Sequence, residues 1–594
     1  MRKIESYVTD ISWERIHMFV KIKLDENEQV SENLQFFLVN EEYLVETEFQ
    51  ILEKQGSEYL LTLNVTNNGE NRCIRSGTYT IIMADKGNCI SEVGYTGTSK
   101  GLEGWGRCFR YLNNKGAYTV TCLLDEYSEE SRFQLLMYNT IQRAMGHLVE
   151  MPAPRTLEGE LISYKSSKPE NKYITKLKNK KTAVVGLIRR KGYAALNKMY
   201  HGNHKKKTIL FMSEQDDKPA LNMQVLLDRM KERNIDQEYN IIYSFRKATS
   251  QDQSLGSNIK MLKSVAKADL IVVDDHVPLF DKLALKDNTK MIQIWHAGAG
   301  FKGVGYSRWG HYGCPGPYSC HRQYDFCISG SSNISEFFSE QFGILDEQII
   351  PTGMPRMDLY LNKENREKVT KELYERFPEA KGRKVILFAP TYRGQNRANA
   401  YYPYEILNFQ ALYDFCVKKD YVVFFKMHPW VSAAVPIEKE HSDRFYDLNT
   451  YPNINDLFYI TDLLVTDYSS SIYEFSLMDK PMMFFAYDKV QYSASRGFHR
   501  DYDTVVPGKI CETFAEVMDA LWKDDLEFKK VKKYREDHFD FVDDHSADRI
   551  IDWLILGNLP EEYEKKLTEK RKRVKAARGL SFREYFLEDV QNEK

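Results

Sequence analysis

The stretch LLVTDYSSSIYEFSLMDKP, Leu463 to Pro481, decides how this chain is read. Its apolar start reads as the end of a buried strand, TDYSSS as a loop and IYEFSLMD as an amphipathic helix. A strand running straight into a helix is half of a βαβ unit, and open parallel sheets bind ligands beyond the carboxyl ends of their strands. Ser469, Ser470 and Ser471 would then offer hydroxyls and unpaired backbone N–H groups to an anion such as a phosphate. A single serine merely capping the helix is the plainer alternative.

Working outward, the same alternation recurs in two series. TILFMSEQ, ALNMQVLLDRMKERN, YNIIYSF, ADLIVVDD and TKMIQIWHAG form the first, and VILFAPTYRG, FQALYDFCVKK, YVVFFKMHPW, LLVTDYSS and PMMFFAYD the second. The expected fold class is therefore α/β, with two consecutive parallel-sheet halves at 208–360 and 361–560. Residues 1–150 differ. Segments such as RIHMFVKIKL, EYLLTLNVT and AYTVTCLLD, separated by turn signals, predict a β-sandwich-like N-terminal domain, immunoglobulin-like in its spacing.

The residues that follow the strands share a character. His296 follows KMIQIW and precedes Lys302; Thr391 and Arg393 follow VILFAP; His428 follows YVVFFKM; and Asp467 with the three serines follows LLVT. Two histidines, an arginine and a serine-lined helix start suit a pyrophosphate or nucleoside diphosphate and a proton transfer. A lone strand-end histidine is more often structural, and the grouping carries more weight than any member. No P-loop, dinucleotide G-x-G-x-x-G or H-E-x-x-H motif is present.

With 83 Lys and Arg against 85 Asp and Glu, the net charge of -2 argues against general nucleic-acid binding. The cations are unevenly spread. Lys165 to Lys207 holds fourteen of them, opposed only by Glu170. Within this basic segment, assigned to 151–207, AVVGLIRRKGYAALNKMYHG suits either an interfacial helix on an anionic membrane surface or a solvated linker. The tail, 561–594, reads as a charged helix with a solvated face. No apolar leader or run of about 18 apolar residues is found, so a cytoplasmic chain is expected. Nine cysteines read as reduced thiols. The patch Cys314, Cys320, His321 and Cys327 lacks the paired spacing of a zinc site, so no metal and no cofactor are expected.

The motifs IQIWHAGAGFKGVG, PTGMPRMD, ILFAPTYRG, FFKMHPW, LLVTDYSSSIYEFSLMDKPMMFFAYD and RGFHRDYDTVVPG resemble, in order and spacing, those of the CDP-glycerol:poly(glycerophosphate) glycerophosphotransferase family, the teichoic acid polymerases and primases. The WHAGAGFKGVG form is similar to the subgroup that contains ribitol-phosphate polymerases. The resemblance covers about Thr208 to Trp522 and implies a GT-B-like pair of Rossmann-type domains, peripheral on the inner membrane face. It implies a CDP-polyol donor, glycerol or ribitol, and a lipid-linked polyol-phosphate or oligosaccharide acceptor. His296 is implied as the base toward the acceptor hydroxyl and His428 as a partner of the pyrophosphate. Lys302, Thr391, Arg393, Asp467, Ser469, Ser470, Ser471 and Arg496 are implied at the substrate. Gly394 stands where members often carry an acid. Two other readings stay open: a GT-B glycosyltransferase using a CMP-sugar, and a non-catalytic protein that binds surface polymer.

Overall fold

The structure is a computed structural model that describes residues 5–25, 34–42, 44–85, 89–111, 116–125, 132–139, 155–156, 189–200, 206–214, 217–246, 255–281, 283–298, 300–311, 313–394 and 397–577. In the N-terminal part, alternating residues on strands such as Arg132–Asn139 turn inward, the period-2 pattern of a sheet with one face covered. Two sheets result. One holds Ser6–Glu14, His17–Leu24, Glu58–Asn64 and Gln50–Gln55, and the other is eight-stranded and includes Leu34–Asn40, Gly77–Asp85 and Gly116–Asp125. Val20, Leu61, Phe36, Ile81, Tyr118 and Leu135 from both lie in one core. That core also takes in Trp309 from the first α/β half, whose indole stacks on Phe109 at 5.2 Å.

The first half is a six-stranded parallel sheet in the spatial order Asn240–Phe245, Thr208–Ser213, Leu270–Val273, Lys290–Gln293, Phe326–Ile328, Ile349–Ile350. The second is ordered Phe445–Asp447, Tyr421–Phe425, Lys384–Phe388, Leu463–Thr466, Met482–Phe485, Lys509–Cys511, also all parallel. By sequence rank these orders are 2-1-3-4-5-6 and 3-2-1-4-5-6, the two doubly wound arrangements. The inner strands, such as Thr208–Ser213, Leu270–Val273 and Leu463–Thr466, are buried on both faces, which accounts for their unbroken apolar runs.

The halves share a core rather than merely touching. Phe211 and Val272 from one sheet and Leu387 and Phe424 from the other belong to a single apolar cluster with Tyr473 and Phe475. Beyond the second sheet the chain returns to the first half. Asp548 receives Arg229 at 3.0 Å and Arg233 at 2.8 Å, and the Arg549 Nε donates to the Thr352 carbonyl at 2.8 Å.

Three expected elements differ in detail. IYEFSLMD is not an amphipathic helix: one α-turn, Ile472–Phe475, passes into a 3-10 turn, Ser476–Met478, and of these residues all but Leu477 are buried. The segment lies between the halves, so it has no solvent face to make polar. Of the basic segment, 189–200 is helical. Its apolar side packs on the protein, with Tyr193 in the core of the first half and Leu196 and Tyr200 against it, while Arg190, Lys191 and Lys198 are exposed. The cations from Lys165 to Lys181 lie outside the described residues. The charged tail helix, Glu561–Ala577, is not solvated all round, since Leu567 is buried and Val574 lies against Gly69 of the N-terminal domain.

Candidate active site

In the second sheet the order reverses between Lys384–Phe388 and Leu463–Thr466, and the loops leaving these strands carry Thr391, Arg393 and the TDYSSS segment. Asp467, 1% exposed, ties the two loops together. Its Oδ1 accepts from the Thr391 amide at 2.8 Å, the Thr391 hydroxyl at 2.9 Å and the Tyr468 amide at 2.5 Å. Arg393 Nη2 lies 3.0 Å from the other oxygen. The same guanidinium donates to Asp488 through Nε at 2.6 Å and Nη2 at 2.8 Å, and Nη1 donates to the Thr391 carbonyl at 2.9 Å. Arg393 and Asp467 were both expected at the substrate; they are buried and held by one another, because two carboxylates saturate the guanidinium fork. Ser469, Ser470 and Ser471 are half-buried, and Ser469 Oγ accepts from the Ser471 amide at 3.2 Å.

His428 lies in the loop that leaves the neighbouring strand, Tyr421–Phe425. Its Nδ1 accepts the Trp430 amide at 3.2 Å, so Nε2 carries the proton of the neutral ring, and the ring lies 4.6 Å from Tyr392. Burial, then Lys302 and Lys426, push its pKa down to about 4. It is therefore an uncharged donor at neutral pH.

In the first half, His296 follows the strand Lys290–Gln293 with its side chain 51% exposed. Nδ1 lies 3.3 Å from the Asp274 carbonyl and 3.9 Å from an Asp275 carboxylate oxygen, which turns Nε2 outward. Asn222, buried in the helix Leu221–Glu232, donates to the Ile294 and Trp295 carbonyls at 3.2 and 2.9 Å and so holds this strand end. The loop then meets the second half. A Cβ at Gly298 would fall 2.5 Å from the Tyr473 ring, so the His296 loop packs directly on the turn that follows the serines.

Three to five residues further on, the halves are stitched by backbone. Gly303 N donates to Gly497 O at 3.2 Å, His499 N donates to Phe301 O at 2.7 Å, and Lys302 bridges Phe498. This holds Lys302 among Asp467, Arg496 and Arg393, where burial, offset in part by Asp467, brings its ammonium down to about 8. Arg496 donates to the Tyr392 hydroxyl and the Gly394 carbonyl, both at 3.1 Å. Lys302, Arg496 and the His428 N–H thus gather positive potential beside the serine loop, with His296 on the facing half.

Sequence reasoning missed Asp274 and Asp275, although ADLIVVDD ends a strand as the other site segments do. It also missed Lys426, Tyr392 and the Arg356–Glu474 pair, in which Nε donates to Oε1 at 2.8 Å between the halves. The Cys314 patch does not converge: Cys314 Sγ donates to Arg110 O, and His321 Nδ1 meets the Tyr324 hydroxyl at 2.8 Å. Cys320 instead joins His276 and Asp281, donor atoms within 4.8 Å of one another. There the Asp281 carboxylate already takes His276 Nε2 at 3.0 Å and the Cys320 amide at 2.8 Å, so the cluster is satisfied as an ion pair. Two concavities of about 480 and 420 Å³ lie where the N-terminal domain meets 336–347 and the tail helix; neither is lined by the strand-end residues.

The sequence profile described as CDP-Glycerol:Poly(glycerophosphate) glycerophosphotransferase matches residues 195–556. The chain is similar to the teichoic acid ribitol-phosphate polymerase TarK of Staphylococcus aureus, 37% identical over 346 residues, 58% of this chain and 67% of that protein. It is 33% identical over 367 residues to the teichoic acid poly(ribitol-phosphate) polymerase of Bacillus spizizenii, covering 62% of this chain and 59% of that one. The chain thus spans about three-fifths to two-thirds of these relatives' length. A solved structure of the wall teichoic acid polymerase TagF superposes with a TM-score of 0.50 at 23% identity, over 66% of this chain and 98% of that one, a likeness of fold. With the profile matching well over half of its length, and over both parallel sheets that carry the site, this chain belongs to the CDP-glycerol:poly(glycerophosphate) glycerophosphotransferase family.

Proposed function

We propose that this chain transfers polyol phosphate from a CDP-polyol to the terminal hydroxyl of a membrane-linked acceptor, forming a phosphodiester and releasing CMP. The two halves act as a GT-B-like pair, the second holding the donor and the first the acceptor, with the β-sandwich-like N-terminal domain docked on the first. The observation that carries the reading is the convergence of Lys302, Arg496 and His428 beside the serine loop, opposite an outward-facing His296. CDP-ribitol is the favoured donor, because the relatives that match at 33–37% over more than half of the chain are ribitol-phosphate polymerases.

The chemistry follows from the geometry. His296 Nδ1–H, held by the Asp274 carbonyl, leaves Nε2 as acceptor for the proton of the attacking hydroxyl. The alkoxide oxygen bonds to the β-phosphorus as the bond to the bridging oxygen breaks and CMP departs with that electron pair. A phosphate leaving group needs charge neutralisation more than a proton, and Lys302 and Arg496 supply it. Neutral His428 donates Nε2–H to a phosphoryl oxygen, and the serine hydroxyls and amides hold the remainder. Arg393, Thr391 and Asp467 act one layer back, fixing the shape of the two loops.

The test measures CMP release from CDP-ribitol and from CDP-glycerol with a lipid-linked polyol-phosphate acceptor, with phosphorus NMR of the product. Acceptor-dependent release, a phosphodiester resonance and loss of both in His296→Ala are expected. Turnover of a CMP-sugar without a new phosphodiester, or undiminished release by His296→Ala, would overturn the assignment.

A further inference from the structure

The donor-side clamp that positions Lys302 does not end within the two α/β halves. It continues through a buried carboxylate to a turn of the N-terminal domain. Glu340, 5% exposed on the helix Ser335–Phe342, sits where all three bodies meet. From the second half, His499 Nε2 lies 2.7 Å from Glu340 Oε2, while His499 Nδ1 accepts from the Gln341 side-chain amide at 3.1 Å. From the N-terminal domain, Arg15 Nε donates to Oε1 at 2.9 Å and Nη2 to Oε2 at 3.1 Å, and His17 Nε2 lies 3.6 Å away. Burial pushes the Glu340 carboxyl up, but His499, His17 and Arg15 outweigh it and hold the group well below the usual carboxylate range.

Arg15 is placed for this contact at a conformational cost. It stands in the two-residue turn between Ser6–Glu14 and His17–Leu24 at φ 51°, in the left-handed region that non-glycine residues seldom occupy. The strain is offset by a bidentate charged pair, the strong form of the hydrogen bond. Beyond Glu340 the chain of contacts is short. His499 N donates to Phe301 O, and the next residue, Lys302, is the one whose ammonium is held among Asp467, Arg496 and Arg393.

We propose that Arg15 is a positioning residue for donor binding: through Glu340 and His499 it holds the 301–303 and 497–499 ladder in register and so sets where Lys302 stands. The N-terminal domain is then part of the donor site without touching the donor. The assignment of Lys302 to the donor rests on the function proposed above; the mechanical coupling does not.

The experiment uses the full chain with Arg15→Met, which keeps the length of the side chain and removes its charge and donors. Hydrogen exchange should quicken at the amides of Gly303 and His499 and stay unchanged in the strands Lys384–Phe388 and Tyr421–Phe425. In the same variant KM for the CDP-polyol should rise roughly 3- to 30-fold, the span of coupling through such networks, with kcat within about twofold. Arg15→Lys, which keeps the charge but not the fork, should restore part of the loss, and it serves as the test should Arg15→Met fail to fold. Unchanged exchange at Gly303 and His499 in a folded variant overturns the proposal, as does quickened exchange with an unaltered KM. Quickened exchange in a protein whose wild type uses no CDP-polyol would leave the coupling standing and remove the functional reading instead.

Discussion

At the scale of the residue, Lys302 and His428 stand close together but differ in charge at neutral pH. His428, brought down to about 4, is neutral across the physiological range and keeps one ring N–H; Lys302, brought down to about 8, still carries charge at pH 7. The sign of the pH dependence follows. The group is cationic below its pKa and neutral above it, so kcat/KM for the CDP-polyol should fall as pH rises through about 8 in the free enzyme. Lys302→Arg should abolish that inflection, because a guanidinium stays charged. Lys302→Met at pH 7 should lose roughly 10- to 100-fold in kcat/KM, the worth of a charged hydrogen bond. Both are read from pH profiles at saturating acceptor. A profile unchanged in Lys302→Arg would assign the inflection to another group.

At the scale of the element, the strand-to-turn unit at Leu463–Met478 holds its place by close approach rather than by helix propensity. Tyr473 fills the space that glycine leaves on two facing loops: a Cβ at Gly298 would lie 2.5 Å from its ring, and one at Gly330 would lie 1.9 Å from its hydroxyl. Gly298→Ala should therefore push the His296 loop off the turn. Overpacking of this kind costs about 1 to 3 kcal/mol of stability. Displacing a base by an ångström lowers kcat on the order of 100-fold. A parallel fall in thermal midpoint and kcat, with both recovered in Gly298→Ala/Tyr473→Leu, is the expected pattern. Loss of stability with kcat intact would show that the loop relaxes elsewhere. The sequence showed the strand and the serines of this unit but not its burial, because the residues that enclose IYEF, such as Gly298, Gly330, Arg356 and Phe539, lie far from it along the chain.

At the scale of the whole molecule, Arg356 and Glu474 form a buried ion pair between the halves, 8% and 4% exposed. Arg356→Met leaves a buried carboxylate unpaired, which typically costs about 3 to 5 kcal/mol, and Arg356→Met/Glu474→Gln should recover most of it. Urea denaturation measures both. The outer surface makes a separate forecast. The helix at 189–200 exposes Arg190, Lys191, Lys198 and Met199, the last 54% exposed, while its aromatic side is taken up by the protein. Any hold on an anionic bilayer is then chiefly electrostatic. Co-sedimentation with vesicles containing phosphatidylglycerol should be strong at low salt and largely lost once ionic strength shortens the screening length to a few ångströms. Binding that survives 1 M salt would point to apolar insertion instead.

By itself the sequence determined the strand and helix periodicity of both α/β halves, the β-rich start, and the strand-end position of His296, His428, Lys302 and the serines, because those properties are written in local apolar patterns and motif order. Only the tertiary structure decided which of the motif residues are paired with one another. Arg393 and Asp467 stand in the same kind of strand-end loop as Lys302, yet each is closed in by a carboxylate or cation brought from about 75 to 95 residues away. The tertiary structure likewise joined Arg15 to His499, nearly five hundred residues apart, through Glu340. Charge pairing and burial are sums over neighbours in space, and those neighbours are chosen by how the three bodies pack.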